Sequence, residues 1–274
     1  MTIDERVHSF LERSLEGDWP YVWLDATYLK QRQGGRIISV AVMIAVAANT
    51  EGRREIIGLN VGLSEAAPFW IDFLRSLTQR GLKGVMLVIS DAHERLKKAI
   101  GQVVGATWQR CRVHTMRNLL VRVPKTQQSR VAATIREVFV QPTQDKAREL
   151  WRTITASAHT RLPKLAQAME EAEDDVLAYM SFPKAHRTKL HSTNTLERLN
   201  REVKRRADVV GIFPNEASIV RLIGAVLMEA NDEWSLQNRY LSLEPLSNLP
   251  QGGEDEMDLL APPDEAQHPT PAAA

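Results

Sequence analysis

Cysteine is nearly missing from this chain: Cys111 stands alone among 274 residues. A single thiol forms no internal disulfide, which fits a reducing cytoplasm. Long apolar runs are missing too. Nothing approaches the roughly 18 uninterrupted apolar residues that a membrane span needs. The longest such stretch, Ile37 to Ala48 (IISVAVMIAVAA), reads as a buried strand. The opening residues, MTIDERVHSF, are acidic and lack an apolar signal core, so no export signal is read. No internal repeat is found. Basic residues stop at Arg239: all 35 lie at or before it, whereas seven of the 34 acids lie beyond Leu243. Residues 1–243 therefore carry +8 and residues 244–274 carry −7. A body of +8 attracts a polyanion mildly, a weak indication when taken alone. The Pro-, Ala- and acid-rich end has no apolar periodicity and is expected to be disordered.

What is present suits a globular chain with a sizeable core. Val7, Phe10, Leu11 and Leu15 predict a short amphipathic helix within residues 1–19. Tyr21 to Lys30 (YVWLDATYLK), Arg36 to Ala48 and about Arg53 to Val61 read as three strands joined by short Gly-containing turns, an antiparallel meander. The period then changes. Phe69, Trp70, Phe73, Leu74 and Leu77 stand at helical spacing within Ala66 to Arg80. GVMLVIS, Gly84 to Ser90, is a continuous apolar run, as in a strand covered on both faces of a parallel sheet. A helix from His93 to about Val104 and a short strand from Thr107 to Cys111 follow. The order β-β-β-α-β-α-β predicts a mixed α/β sheet. From Arg112 to Ala178 no strand signal occurs. Helical segments near 113–121, 127–139, 144–157 and 162–180 are broken at Pro124, Pro142 and Pro163, forming an all-helical insertion.

HSTNTLERLNREVKRR, His191 to Arg206, predicts a helix starting near Thr193 or Asn194. Leu196, Leu199 and Val203 form its buried stripe, and Asn194 and Glu197 stand at a spacing close to a capping box. Glu197, Asn200, Arg201 and Lys204 lie off the stripe. Ile212-Phe213-Pro214 reads as a turn, and Asn215 to Glu229 as another amphipathic helix.

Three carboxylates draw attention. Asp25 lies inside the first strand, where a charge is rarely buried unless paired or bound to metal. Asp91 falls at the carboxyl end of the fourth strand, where open α/β sheets place their sites. If those strands are adjacent and parallel, the two aspartates converge, and Glu197 on a late helix completes the set. Three such carboxylates repel one another. Divalent cations with oxygen ligands, Mg²⁺ or Mn²⁺, relieve that, and a pair of them serves phosphodiester chemistry. Plainer roles exist for each: Asp25 as a solvent-facing strand residue, Asp91 as a helix cap, and Glu197 as a helix-start acid paired with Arg201.

The stretches YVWLDATYLK, VISDAHERLKKAI, WQRCRVHTMRNLL, HSTNTLERLNREVKRR and VVGIFPNEASIVRLIGAVLMEANDEW, spanning about Glu5 to Leu243, resemble the catalytic part of a Mutator-type bacterial insertion-sequence transposase, a DDE recombinase with a ribonuclease H-like fold. The resemblance implies a metal-binding triad of Asp25, Asp91 and Glu197, with two Mg²⁺ or Mn²⁺ ions. It also implies a helical insertion between the fifth strand and the helix bearing the glutamate. The 106 positions from Asp91 to Glu197 agree with that. The expected organisation is an N-terminal helix at 1–19, a first catalytic part at 20–112, the insertion at 113–183, a second catalytic part at 184–243 and a disordered tail at 244–274.

Cys111-x-x-His114 taken alone suggests half a zinc site, although with no second cysteine such a site needs three other partners. Cys111 also reads as a small apolar strand end. The resemblance puts Cys111 and His114 beside the catalytic centre. His93 and Asn200 join them as supporting residues, His93 also reading as an ordinary first-turn helix residue. Arg112, Arg117, Arg122, Arg198, Arg201, Lys204, Arg205 and Arg206 are candidate phosphate contacts, which position DNA without reading its bases. Trp70, Trp108, Trp151 and Trp234 read as core, with a DNA-flanking role for Trp151 as the rival reading. Members of the family carry a helical DNA-binding region before the first catalytic strand, where this chain has some 20 residues. An N-terminally truncated chain is therefore expected. Arg187 stands where the family has tryptophan, and His191 where an aromatic is frequent.

The expected function is cleavage at insertion-sequence ends and strand transfer into target DNA, by a homo-oligomer on the terminal inverted repeats, in the bacterial cytoplasm and nucleoid, with no membrane. The alternatives are a non-catalytic DNA-binding remnant or regulator of transposition, and a structure-selective nuclease on the same fold.

Overall fold

A computed structural model describes residues 1–243 and Leu246; the predicted disordered tail lies outside the described residues apart from that leucine. Strands β1 (Tyr21–Gln33) and β2 (Arg36–Ala48) form a long antiparallel hairpin, in register from Tyr21↔Ala48 to Gln33↔Arg36. Its two-residue turn is Gly34-Gly35, with φ of 55° and 76°. Both positions need the left-handed region that glycine enters freely, and that turn twists in the same sense as its strands. β3 (Arg54–Gly62) pairs antiparallel with β2, with a bulge at Ala45/Val46. After α2 (Ala67–Gln79), β4 (Leu87–Ser90) lies parallel to β1, and after α3 (Glu94–Val103), β5 (Thr107–Arg110) lies parallel to β4. The sheet order is β3-β2-β1-β4-β5.

Period-two alternation sends the strand side chains to two different cores. On one face Val22, Leu24, Met43 and Val88 pack against Trp70, Phe73 and Leu77 of α2 and Leu96 and Ile100 of α3. On the other, Tyr21, Trp23, Ile44 and Ile89 share a core with the later helices. These are α4 (Arg112–Leu120), α5 (Lys125–Phe139), α6 (Gln144–Ala158), α7 (Pro163–Glu170), α8 (Glu173–Leu177), a 3₁₀ turn at Ala178–Ser181, α9 (Arg187–Leu190), α10 (Asn194–Val210) and α11 (Glu216–Ser235). No described strand interrupts the helices between Arg110 and Ile212, as the periodicity predicts.

Three local expectations change. The segment 162–180 is not one helix: the chain breaks after Glu170, and Glu173, Asp174 and Asp175 open α8, where a helix N-terminus favours acids. Ile212–Phe213 is not a turn but a two-residue strand, β6, parallel to β1 at Lys30↔Ile212 and Gln31↔Phe213, making six strands among the described residues. Gly211, at φ 74°, ends α10 and turns the chain toward the edge of β1 beyond the reach of short β4. The backbone groups of Lys30 and Gln31 thereby gain partners. Lastly, α11 continues to Ser235, six residues past the expected end.

The helical region is tied to the sheet by polar as well as apolar contacts. Buried Gln109 of β5 donates to Val176 O at 3.0 Å and accepts from Tyr179 N at 2.7 Å. Trp151 is fully buried and donates its indole N–H to Met169 O at 2.9 Å. It is a core residue, as most of the sequence evidence suggests. Trp151→Ala opens a large cavity and strands a buried carbonyl. The expected loss is about 3–5 kcal/mol, measured as a shift of the urea unfolding midpoint. At the N-terminus α1 (Ile3–Glu12) lies across α11, where Val7 packs on Gly224 so closely that an added Cβ has no room.

Candidate active site

Asp25 sits two positions past Trp23, the last β1 residue paired with β4, and five before Lys30, where β6 begins to pair. The edge of β1 is open between them, and Asp25 lies in that opening. It follows Tyr21 and Trp23 in the alternation, on the face covered by α10. Its Oδ2 accepts from Asn200 Nδ2 at 2.7 Å, and its Oδ1 from the Ala26 N–H at 2.9 Å. Burial is the main influence on its acidity. Despite the opposing pull of the Ala26 N–H, His114 and Asn200, the carboxyl is pushed up to about 6, with the charge of Asp91 adding to the rise.

Asp91 directly follows β4, and its Oδ1 accepts from Ala92 N at 2.7 Å. Glu197 stands one turn into α10, whose stripe of Leu196, Leu199, Val203 and Ala207 is buried. Both acids meet His114, the third residue of α4. Its Nδ1 lies 3.6 Å from Asp91 Oδ1, and its Nε2 lies 3.5 Å from Glu197 Oε1. The imidazole thus stands between two of the three acids, and Asn200, one turn after Glu197, reaches the third. The Cys111 side chain, against the effect of burial and together with the charges of Asp91 and Glu197, raises the His114 pKa to about 9. The ring is therefore a cation at neutral pH.

Cys111 occupies the N-cap position of α4, makes no capping bond with its side chain, and is fully buried. Its sulfur accepts from Thr193 N at 3.5 Å and Thr193 Oγ1 at 3.4 Å. Burial opposes ionisation, but the hydrogen bonds of His114 and Thr193 outweigh it and hold the thiol below its usual range. Thr193 does not cap α10 with its side chain, and the Asn194–Glu197 capping box does not form. The hydroxyl is occupied by sulfur, and Glu197 faces His114, not Arg201. The structure also places His93 elsewhere: it is the N-cap of α3, accepting from Leu96 N at 3.3 Å and facing Glu65 at 3.6 Å.

A divalent cation fits the carboxylates on one direct observation. Glu197 Oε1 is buried without a hydrogen-bond partner, faced by the His114 ring at 3.5 Å, and has coordination capacity left for a metal ion. Asp25, inside β1, and Asp91, just past β4, carry further carboxylate oxygens of the hard type that such a cation takes.

Arg198, Arg201, Lys204, Arg205 and Arg206 are exposed along α10, and Arg117 on α4. Arg205 and Arg206 are paired with Glu202, at 2.7 and 2.8 Å. Arg112 is turned inward, 3.3 Å from His191 Nε2 and over the Phe139 ring. Burial, with Arg112 adding, pushes His191 down to about 4, so it is neutral. Arg187 donates to Phe182 O at 2.9 Å. Arg198 and Arg201 line a groove of about 530 Å³ between α10 and α11, together with Arg54 and Trp234. Arg54 lies 4.0 Å over the Trp234 ring and 4.7 Å over Tyr240. The sequence reading missed Arg54, which belongs to no motif, and took Thr193 as a helix start without its contact to the Cys111 sulfur 82 residues away.

Three antiparallel strands followed by two parallel ones, helices on both faces and an acid on each of the adjacent strands β1 and β4 or just beyond put the chain in the ribonuclease H-like class. The sequence matches the family model described as "Transposase, Mutator family" over residues 1–237, and the chain belongs to that family. It is 43% identical over 247 residues to the transposase for insertion sequence element IS1081 of Mycobacterium tuberculosis, covering 89% of this chain and 60% of the relative. It is 40% identical over 245 residues to the transposase for ISRM5 of Rhizobium meliloti, covering 89% and 62%. It is 36% identical over 248 residues to the transposase for IS256 in transposon Tn4001 of Staphylococcus aureus, covering 88% and 63%. The chain thus spans about 60% of the length of the relatives it matches. Among the described residues no helix is long and apolar enough to cross a membrane.

Proposed function

We propose that the chain is the catalytic portion of a DDE-type DNA transposase, cleaving phosphodiesters at insertion-sequence ends and joining the freed 3′ ends to target DNA. The observation that carries this is the gathering of Asp25, Asp91 and Glu197 around His114 and Asn200. Membership of a family whose named relatives are transposases supports it. The three carboxylates would hold two divalent cations, Mg²⁺ or Mn²⁺, which when bound supply Lewis-acid polarisation of the phosphate and a more acidic attacking water. The protein's own part is positional. Asn200 ties α10 to β1 through Asp25, so strand and helix carry their acids in fixed relation. Protonated His114 offsets the repulsion between Asp91 and Glu197 and keeps both turned inward. The proposed setting is a homo-oligomer on inverted repeats and target DNA, in the bacterial cytoplasm and nucleoid. Residues 113–183 act there as an insertion of the catalytic domain.

Purified chain incubated with Mn²⁺ and labelled DNA spanning the flanks of its own coding sequence is expected to yield discrete end cleavage and strand joining. Salt-sensitive binding without cleavage would instead identify a DNA-binding remnant. Cutting of branched or hybrid substrates without joining would identify a nuclease. The exposed bases carry a prediction of their own. Arg201→Ala and Lys204→Ala should each reduce the slope of log affinity against log salt by about one, evenly across DNA sequences. Arg205→Ala should change it less, because Glu202 already neutralises that guanidinium. Fluorescence anisotropy over a salt series measures all three, and equal slopes for the three variants would refute the assignment.

A further inference from the structure

The carboxylate chemistry leaves the Cys111-x-x-His114 pair without a ligand-binding task, and the fold supplies the third partner that the sequence lacks. Cys111 Sγ, a His114 ring nitrogen and a Glu197 carboxylate oxygen lie within 4.8 Å of one another. His114 Nε2 and Glu197 Oε1 are 3.5 Å apart. Two ligands at 2.0–2.1 Å around a tetrahedral zinc ion stand about 3.3–3.4 Å apart, close to that spacing. Glu197 Oε1 and His114 Nδ1 are both buried without a hydrogen-bond partner. The Nδ1 faces Asp91 Oδ1 at 3.6 Å, as a carboxylate does when it orients a metal-bound imidazole from its far side. Thr193 directs its N–H and hydroxyl at the sulfur from 3.5 and 3.4 Å, which favours a thiolate.

We propose that Cys111, His114 and Glu197 form a site for a borderline-soft transition-metal ion, Zn²⁺ by preference, sharing Glu197 with the hard-cation site. A thiolate, an imidazole and one carboxylate select zinc over Mg²⁺, and three protein ligands leave the fourth position open. Binding forms one bond each from sulfur, nitrogen and oxygen, and the displaced thiol and imidazole protons pass to solvent. An occupied zinc site withdraws Glu197 from the carboxylate set and stops cleavage. That regulatory half rests on the catalytic role proposed for Glu197.

Metal-free chain is titrated with Co²⁺ as a spectroscopic probe and then with Zn²⁺. The expected result is one equivalent of four-coordinate Co²⁺ with a sulfur-to-metal charge-transfer band, both lost on displacement by Zn²⁺. X-ray absorption of the zinc form should show a single sulfur at about 2.3 Å. Cys111 is the one cysteine in the chain, so that signal assigns the ligand in the unaltered protein. Cys111→Ser and His114→Ala should each weaken Zn²⁺ at least roughly 100-fold, beyond the effect of losing an orienting partner. Zinc bound through nitrogen and oxygen alone, or with unchanged affinity in Cys111→Ser, overturns the site. In Mn²⁺-supported cleavage assays, stoichiometric Zn²⁺ should abolish activity. Undiminished cleavage by chain whose spectrum shows sulfur-bound metal overturns the regulatory half. Absence of cleavage under every cation removes the catalytic reading of Glu197 and the regulation with it, while the spectra still decide the zinc site.

Discussion

Asp91→Asn is expected to lose metal-dependent DNA cleavage by at least on the order of 10²–10³-fold, roughly 3–4 kcal/mol of transition-state stabilisation. The substitution is nearly isosteric and removes charge alone. Its carbonyl oxygen can still accept from Ala92 N, the bond that Asp91 makes at the end of β4. The side chain is about half exposed, so neither packing nor desolvation changes much. The fold and the basic surface of α10 should therefore persist, with DNA affinity and its salt slope unchanged. What goes is the proposed hard ligand for a divalent cation and the counter-charge facing His114 Nδ1. Gel assays of cleavage beside anisotropy of binding separate the two quantities. Cleavage within a few-fold of the unaltered chain would remove Asp91 from the chemistry, and with it the reading of the strand ends as a metal centre.

Asp25→Asn should also abolish cleavage, but it should make the metal-free protein more stable. Burial raises the Asp25 carboxyl from 3.8 to about 6. The folded state then binds the proton more tightly than the unfolded state. Stability due to this group is highest below about pH 4, falls as pH rises toward 6, and is lowest and flat above that. The shift corresponds to an upper figure of about 3 kcal/mol at neutral pH. Asparagine escapes that penalty but loses one of the two hydrogen bonds from Asn200 and Ala26, leaving an expected gain of about 1–3 kcal/mol. The melting temperature should rise by roughly 2–10 °C. The stability difference between variant and parent should grow between pH 4 and 6 and then level off. Added Mg²⁺ should stabilise the parent and not the variant, by mass action on the folded state. Denaturant unfolding across pH 4–8, with chelator and with Mg²⁺, measures each part. A variant less stable than its parent at pH 7.5 would show that the Asp25 carboxylate is held by favourable bonds, not by an unmet demand for a cation.

Much of this architecture was legible because it rests on local rules. Alternating and continuous apolar runs marked the strands within a few residues. Gly34-Gly35 marked the hairpin, and Leu196, Leu199 and Val203 marked the buried side of the helix carrying Glu197. Short-range chemistry misled where a tertiary partner outbid it. The Asn194–Glu197 spacing offered a capping box, but Thr193 turned to the Cys111 sulfur and Glu197 to His114. Ile212–Phe213 resembled a turn until the free edge of β1 gave its backbone a partner. His93 stood two residues from Asp91 in sequence, yet the geometry of a helix start pointed it at Glu65.

The order of residues alone determined the alternation of strand and helix, the two-sided burial of the sheet and the identity of the acids available for chemistry, since each follows from side-chain period and local backbone preference. Only tertiary structure decided which groups face one another. It put His114 between Asp91 and Glu197 and Asn200 against Asp25, and it opened the edge of β1 at Asp25. Those pairings join positions 83 to 175 residues apart for His114–Glu197 and Asn200–Asp25. Contacts at such separations are set by packing of the whole sheet and its helices, and no local rule encodes them.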